Sequence, residues 1–388
     1  MTHSGHEEFA EDHRIVKLIP LFVAISVLGL TLGLTLPVLS LAMDRVGASV
    51  TLIGLNTLFA NLAALITASL TPVVITKVGG KRLIAWGLVF AGLTLSLFAI
   101  STDVPSFFVF RIANGFSFGF IFVATETFVI SMSSPERRAR NMGIYGMAIA
   151  TGAAFGPAIG FTLFERSTAL PFLSGGAICL VSIIIFLLLF RPTETLKQSP
   201  KGVLSPKKIA IPLGAAVVFG FILEGITALI PLYLKEIKFP PKSMGYIVTA
   251  FQLGAIPLQY PLCFIADRFG KKHYLATVYV LIGVGFFTIP LFSALKIFLV
   301  FSFLIGGVIS SIHPVGMAIA GDDVKKDEYS QAAAYMSIGF SVGAIIGPYL
   351  LSVAMGTFGY EYLFYTTGAV LVLFSLQPIL SIINRTGD

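Results

Sequence analysis

Arg111, Glu126, Glu224 and His313 each lie inside a long apolar run, where ionisable side chains are rare. A charge in hydrocarbon is costly, so such groups face protein or a water-filled cavity and are candidates for moving a proton or holding a solute. Glu126 and Glu224 fit a proton acceptor or a substrate contact, and equally a structural ion pair. Arg111 and Glu126 are not a direct pair, because fifteen residues of helix separate them by about 22 Å along the axis. The reference pKa of imidazole lies near neutrality, so His313 fits a proton relay; beside Pro314 it also fits a satisfied core histidine at a helix kink. Asp322 reads as a solvated charge at the end of the same run. Asn61 and Gln252 offer hydrogen bonds, either to a solute or between helices.

The elements that must carry these groups follow from composition. The chain of 388 residues is 56% hydrophobic and 12% charged, roughly half the charged share of a soluble domain. Apolar runs at 15–43, 51–76, 83–101, 106–132, 141–163, 170–190, 209–234, 244–266, 274–293, 297–320, 330–355 and 362–383 are long enough to cross a ~30 Å hydrocarbon layer as helices. Stretches such as SIIIFLLLF do not alternate, which excludes a β-barrel. The expected fold is therefore an all-α integral membrane protein with twelve transmembrane helices.

Placing the N-terminus in the cytoplasm puts 19 Lys and Arg residues inside and 6 outside, with Arg111 in a span. By the positive-inside rule both termini are then cytoplasmic. The net charge of +7 forms no basic face, so it does not indicate nucleic acid. Cys179 and Cys263 lie in apolar runs and read as small buried side chains. His3, His6 and His13 with Glu7, Glu8, Glu11 and Asp12 offer metal-ligand types, but residues 1–14 read as a disordered cytoplasmic tail. No phosphate-binding G-x-x-x-x-G-K-[ST] loop is present, so ATP is not a direct energy source, and no catalytic constellation is visible.

Shifting the sequence by 191 residues aligns Gly54 with Gly245, Gly79 with Gly270, Lys81 with Lys272, and Phe107, Val109, Phe110 and Gly115 with Phe298, Val300, Phe301 and Gly306. The same shift aligns Gly152, Gly156 and Pro157 with Gly343, Gly347 and Pro348, and Asn61 with Gln252. One gap-free register from the second to the fifth span of each half marks a duplicated six-helix unit. The expected organisation is a bundle over 15–190, a cytoplasmic linker over 191–208, a second bundle over 209–383 and a short tail over 384–388. Gly152-x-x-x-Gly156-Pro157-x-x-Gly160 opens a groove for close helix approach, and Pro bends the helix. The alternating Phe116, Phe118, Phe120 and Phe122 spread over several helix faces as packing and lipid-facing surface.

Asp267-Arg268-Phe269-Gly270-Lys271-Lys272 resembles the signature loop of the major facilitator superfamily, and the resemblance covers nearly the whole chain. The first-half copy, Lys77, Gly79 and Lys81, departs from it by carrying Thr76 in place of the aspartate. In the family this loop helps to hold one end of the transporter shut. The glycine run of the fifth span resembles the family's antiporter motif, and Arg111-Ile-Ala-Asn114-Gly115 resembles its R-x-x-x-G motif, whose arginine is tied to proton transfer. The resemblance implies two pseudo-symmetric six-helix bundles, with helices one, four, seven and ten lining a central cavity. In this sequence the deep charges fall on spans four, seven and ten, and the outer spans three, six, nine and twelve carry none in their cores. It further implies a secondary transporter of the cytoplasmic membrane, most like the drug/proton antiporters. Such a protein would export a small organic or amphiphilic solute by alternating access, with protons as coupling ion and no cofactor. It is expected to act as a monomer in contact with membrane lipid. An importer or uniporter of a nutrient, metabolite or metallophore on the same fold is the alternative, with a membrane-embedded enzyme or sensor more remote.

Overall fold

The computed structural model describes residues 3–133, 138–190, 205–324 and 329–386. Among them are twelve helices long and apolar enough to cross a membrane. These are α1 (His3–Arg45), α2 (Val50–Val78), α3 (Gly80–Phe98), α4 (Val104–Met132), α5 (Arg138–Arg166), α6 (Leu170–Leu189), α7 (Ala210–Glu236), α8 (Pro241–Phe269), α9 (Lys271–Thr288), α10 (Leu295–Asp323), α11 (Tyr329–Phe358) and α12 (Tyr362–Thr386). α1 begins at His3, where the sequence reading places a tail over 1–14. Glu7, Glu8 and Ala10 are good helix formers, and no proline follows before Pro20, so the turn continues outward from the span at Leu18. Most of the expected linker, 191–204, lies outside the described residues, as do the side chains of His3, His6 and His13.

The chain divides into two compact units. One comprises residues 1–35 and 59–199, the other 36–58 and 200–388, so the facing ends of α1 and α2 belong with the second set of helices. Small residues set the packing within each. In the first unit α5 lies directly on α1: a Cβ added at Gly152 would fall 2.7 Å from the Leu30 nitrogen and closer still to the Ser26 carbonyl. Gly156 meets the backbone of Gly33 and Leu34, and Gly160 that of Leu34. In the second unit α11 lies on α7 in the same register, with Gly343 against Val217 and Phe221 and Gly347 against Phe221. Gly115 packs on Ala60 between α4 and α2, and Gly306 packs on Phe251 between α10 and α8. Lipid tails give helices no hydrophobic reason to associate, so backbone approach at such glycines supplies the dispersion contacts that hold them. Pro157 and Pro348 sit buried inside α5 and α11 beside these contacts.

The turns repeat as closely as the grooves. Gly79, before α3, has φ 87° and ψ 134°; Gly270, before α9, has φ 93° and ψ 119°. This backbone is open only to glycine. Each turn delivers a lysine to the end of a helix. Lys81 donates to the carbonyls of Leu187 (3.1 Å) and Phe190 (2.6 Å), where α6 leaves its last carbonyls unmet, and Lys272 donates to Ser381 Oγ on α12 at 3.4 Å. Both contacts span 109 residues, so the duplicated register reaches the sixth helix of each half. A charged donor on these carbonyls also opposes the helix dipole. Gly79→Ala would meet no atom within 4 Å. Its cost is therefore backbone strain alone, about 1–3 kcal/mol, and detergent-solubilised Gly79→Ala is expected to melt below the parent protein with no new side-chain clash to explain it.

Candidate functional site

The N-terminal part of α4 is fixed by Asp103, whose carboxylate accepts from Ser106 N–H at 2.8 Å and is held below its usual pKa chiefly by that bond. Two turns into the helix, Arg111 is buried at 5% exposure and does not lie on the lipid surface. One turn further Asn114 is fully buried and donates to Thr94 Oγ1 of α3 at 3.1 Å. Arg111 and Asn114 thus lie on the packed side of α4, with Gly115 letting α2 approach beside them.

Glu126 lies two turns from the other end of α4 and is half-buried. Its neighbour Thr125 shares a 2.9 Å hydrogen bond with Tyr145 of α5. Thr125 Oγ1 also lies 2.8 Å from the Ile121 carbonyl and 2.9 Å from that of Phe122. Tyr145 is buried and lies within electrostatic reach of the Glu126 carboxylate. Two turns along, Asn141 donates to Ser133 Oγ at 2.7 Å. Two polar bonds, Thr125 with Tyr145 and Ser133 with Asn141, thus tie α4 to α5 in the half of α4 that carries Glu126.

In the second unit Glu224 is half-buried on α7, one residue before Gly225, whose added Cβ would meet the Leu351 side chain of α11 at 2.5 Å. His313, half-buried on α10, packs at a tilt on Phe219 of α7 with ring centres 5.4 Å apart, and Phe219 packs likewise on Phe340 of α11 at 5.8 Å. Asn61 on α2 and Gln252 on α8 are both half-buried, each directly after the residue that receives a motif glycine, Ala60 and Phe251. Among the described residues no group of three His, Cys, Asp or Glu is arranged to hold a metal.

The signature loop forms a charge cluster. Lys271 donates to Asp322 of α10 at 2.6 Å and lies 3.8 Å from Asp267. Asp322 thus lies at the end of α10, exposed to water and paired with Lys271. Asp267 and Asp322 side chains are 66% and 62% exposed, so water screens much of this attraction. Arg268 lies in the last turn of α8, and Lys77 in that of α2. In the first-half copy Thr76 bonds its own helix, at the Val73 carbonyl.

Tyr145, Phe219 and Phe340 escape a reading of the sequence that looks for charges at depth. Tyr145 has one available signal, a phenol between Gly143 and Gly146 in α5. The two phenylalanines have none among the 35 in the chain.

The model of the Major Facilitator Superfamily matches residues 21–240 and 212–386. An uncharacterized MFS-type transporter of Bacillus subtilis (strain 168), YfkF, is 27% identical over 353 residues, covering 89% of this chain and 90% of that one. Multidrug resistance protein 1 of the same organism is 30% identical over 179 residues, covering 46% and 45% respectively. The crystal structure of the nucleoside transporter NupG superposes with a TM-score of 0.77 at 14% identity, over 94% of this chain and 98% of that one. With grooves, turns and register all duplicated, and a family match spanning nearly every helix, the chain belongs to the major facilitator superfamily.

Proposed function

We propose that this chain is a proton-coupled exporter of small amphiphilic organic solutes, working by alternating access in the cytoplasmic membrane. The observation that carries the reading is a pair of carboxylates, Glu126 on α4 and Glu224 on α7, each half-buried within an apolar span of a family transporter. A carboxylate that takes its proton on one side and loses it on the other ties proton entry to solute exit. If bound solute favours the ionised form, proton and solute compete, and the competition is reciprocal. Similarity to a multidrug resistance protein supports export of organic solutes. The excess of Lys and Arg in one set of connections supports cytoplasmic termini. His313 with Phe219 and Phe340 supplies an apolar, aromatic wall suited to the ring of such a solute. Arg111, buried beside Asn114, acts in this reading as a fixed countercharge within the first six helices.

Reconstituted protein provides the test. Vesicles with an acid lumen one pH unit below the medium should accumulate a permanently charged quaternary-ammonium dye about tenfold, if one proton leaves per dye entering, since one unit is about 1.4 kcal/mol. Protein-free vesicles with the same gradient give the baseline. Equal dye levels with and without the gradient, across a panel of such dyes, overturn the reading.

A further inference from the structure

The turn before α3 lacks negative charge that its copy before α9 possesses. In the second half, Asp267 lies 3.8 Å from Lys271, which also donates to Asp322 of α10 at 2.6 Å. The register of the duplication carries Asp267 to Thr76 and Asp322 to Ser131, so both carboxylates are missing from the first half. Thr76 and Ser131 turn back on their own helices, to the Val73 and Phe128 carbonyls. The cations remain. Lys77, Lys81 and Arg82 stand where the second half has Arg268, Lys272 and His273. Lys81 is held by the carbonyls at the end of α6. Lys77 and Arg82 are exposed, and among the described residues they have no ion-pair partner.

Arg82 also begins one exposed stripe of α3. Trp86, Phe90, Leu93 and Leu97 follow it at helical spacings of four, four, three and four, and all are exposed. The other side of α3 is packed, with Gly87 against Ile121 of α4 and Gly92 against Gly176 of α6. Trp86 is the single tryptophan of the chain, 57% exposed, with its ring 6.2 Å from that of Phe90. Among the described residues its indole N–H has no acceptor. A donor at the edge of a membrane span then takes its acceptor from lipid. The counterparts on α9, His273, Thr277 and Leu281, are exposed too, but they offer neither guanidinium nor indole.

We propose that Arg82, Trp86 and Phe90 bind one anionic phospholipid on the exposed face of α3. The guanidinium fork takes two oxygens of the phosphodiester. The indole, about 6 Å deeper along the helix axis, donates to an ester carbonyl of the same lipid. Phe90, Leu93 and Leu97 lie deeper still, along an acyl chain. Charge selects the headgroup. Residues 76–82 carry Lys77, Lys81 and Arg82 without a carboxylate, and a choline or ethanolamine headgroup would bring a further cation to them. The inference goes beyond the export reading and needs only the membrane spans.

Trp86 is its own reporter. The native protein is reconstituted in phosphatidylcholine containing equal fractions of either phosphatidylglycerol or phosphatidylcholine brominated high in the acyl chains, and quenching of Trp86 is read. Brominated phosphatidylglycerol should occupy the site about fivefold more readily, the worth of one cation at a membrane surface. R82Q should remove most of that preference, and R82K, which keeps the charge, should retain much of it. W86F/T277W moves the reporter to the equivalent exposed position on α9, where the preference should fall below about twofold. Equal quenching by the two lipids, or a preference that R82Q leaves unchanged, overturns the site. An equal preference at T277W assigns the enrichment to general surface charge and overturns it as well. Should R82Q disturb folding, the comparison of Trp86 with T277W, both with Arg82 intact, still decides. Neither gradient nor solute enters this measurement, so failure of the lipid site leaves the export reading standing, and failure of dye flux leaves the lipid site standing.

Discussion

Glu224→Gln is expected to abolish gradient-driven dye accumulation, bringing the roughly tenfold excess at one pH unit back to equal dye concentrations inside and outside. Gln keeps the size and much of the hydrogen-bonding capacity of the protonated side chain and removes only the ability to titrate. The bundle should therefore still alternate, and dye should still equilibrate down its own concentration difference. That split separates a coupling residue from a folding residue, because a misfolded variant loses both fluxes. Glu126→Gln makes the same test on α4. Each half of the duplicated chain carries one of these carboxylates where the other half has none: Glu126 corresponds to Met317, and Glu224 to Gly33. The two variants thus report on independent sites. If one abolishes coupling and the other only lowers the rate, the first is the proton carrier and the second a solute contact or structural group. Retention of full gradient-driven accumulation by both removes these carboxylates from the coupling mechanism.

The correspondence between halves explains how much of this protein is legible in its sequence. The frame is written twice. Gly152 and Gly343 meet α1 and α7 at equivalent residues, Gly79 and Gly270 make the same left-handed turn, and Lys81 and Lys272 reach for the ends of α6 and α12. Such positions are constrained by backbone approach and φ, which every copy of the unit must satisfy, so one register exposes them. The groups that carry chemistry are written once. Arg111 stands opposite Ser302, Phe122 opposite His313, and Tyr145 opposite Met336. Duplication therefore points to the scaffold and to departures from it, without saying which departures touch one another.

Hydropathy reports depth and not direction around a helix, which is why Arg111 was legible as a deep charge while its burial beside Asn114 and Thr94 was not. The bond between Tyr145 and Thr125 joins two helices at residues twenty apart, a contact that neither residue type announces. The charge between Lys271 and Asp322 joins α9 to α10 across 51 residues. Within the Asp267 motif it is Lys271 that makes the interhelical bond. The beginning of α1 is hard to place from sequence for a different reason. A polar, acidic terminus resembles a tail in composition, whereas helix propensity continues the turn already fixed by the membrane span.

Two glycines six residues apart on α5, Gly146 and Gly152, are expected to respond in opposite directions to the same substitution. Gly146 is exposed, and a Cβ there meets nothing within 4 Å. Gly146→Ala should be neutral or stabilising by up to about 1 kcal/mol, because alanine restricts the non-native chain and favours helix. Gly152 is buried against α1, where the added methyl would strike the Ser26 carbonyl and lie 2.7 Å from the Leu30 nitrogen. These are backbone atoms of a helix that also carries Gly29 and Gly33 against Ile149 and Ala153, so no single rotamer change relieves the clash. The helices must separate along several turns, and Gly152→Ala should cost roughly 3 kcal/mol or more, at or beyond the usual range for overpacking. Parallel melts in detergent, followed by tryptophan fluorescence of Trp86 or by loss of monodisperse protein, provide the comparison. If the groove between α1 and α5 were merely permissive, Gly152→Ala would melt with Gly146→Ala. The small residues of the fifth span would then be free for a direct part in exchange. A large gap between the two variants assigns them to holding α1 and α5 together, and leaves coupling to the carboxylates that only one copy of the repeat contains.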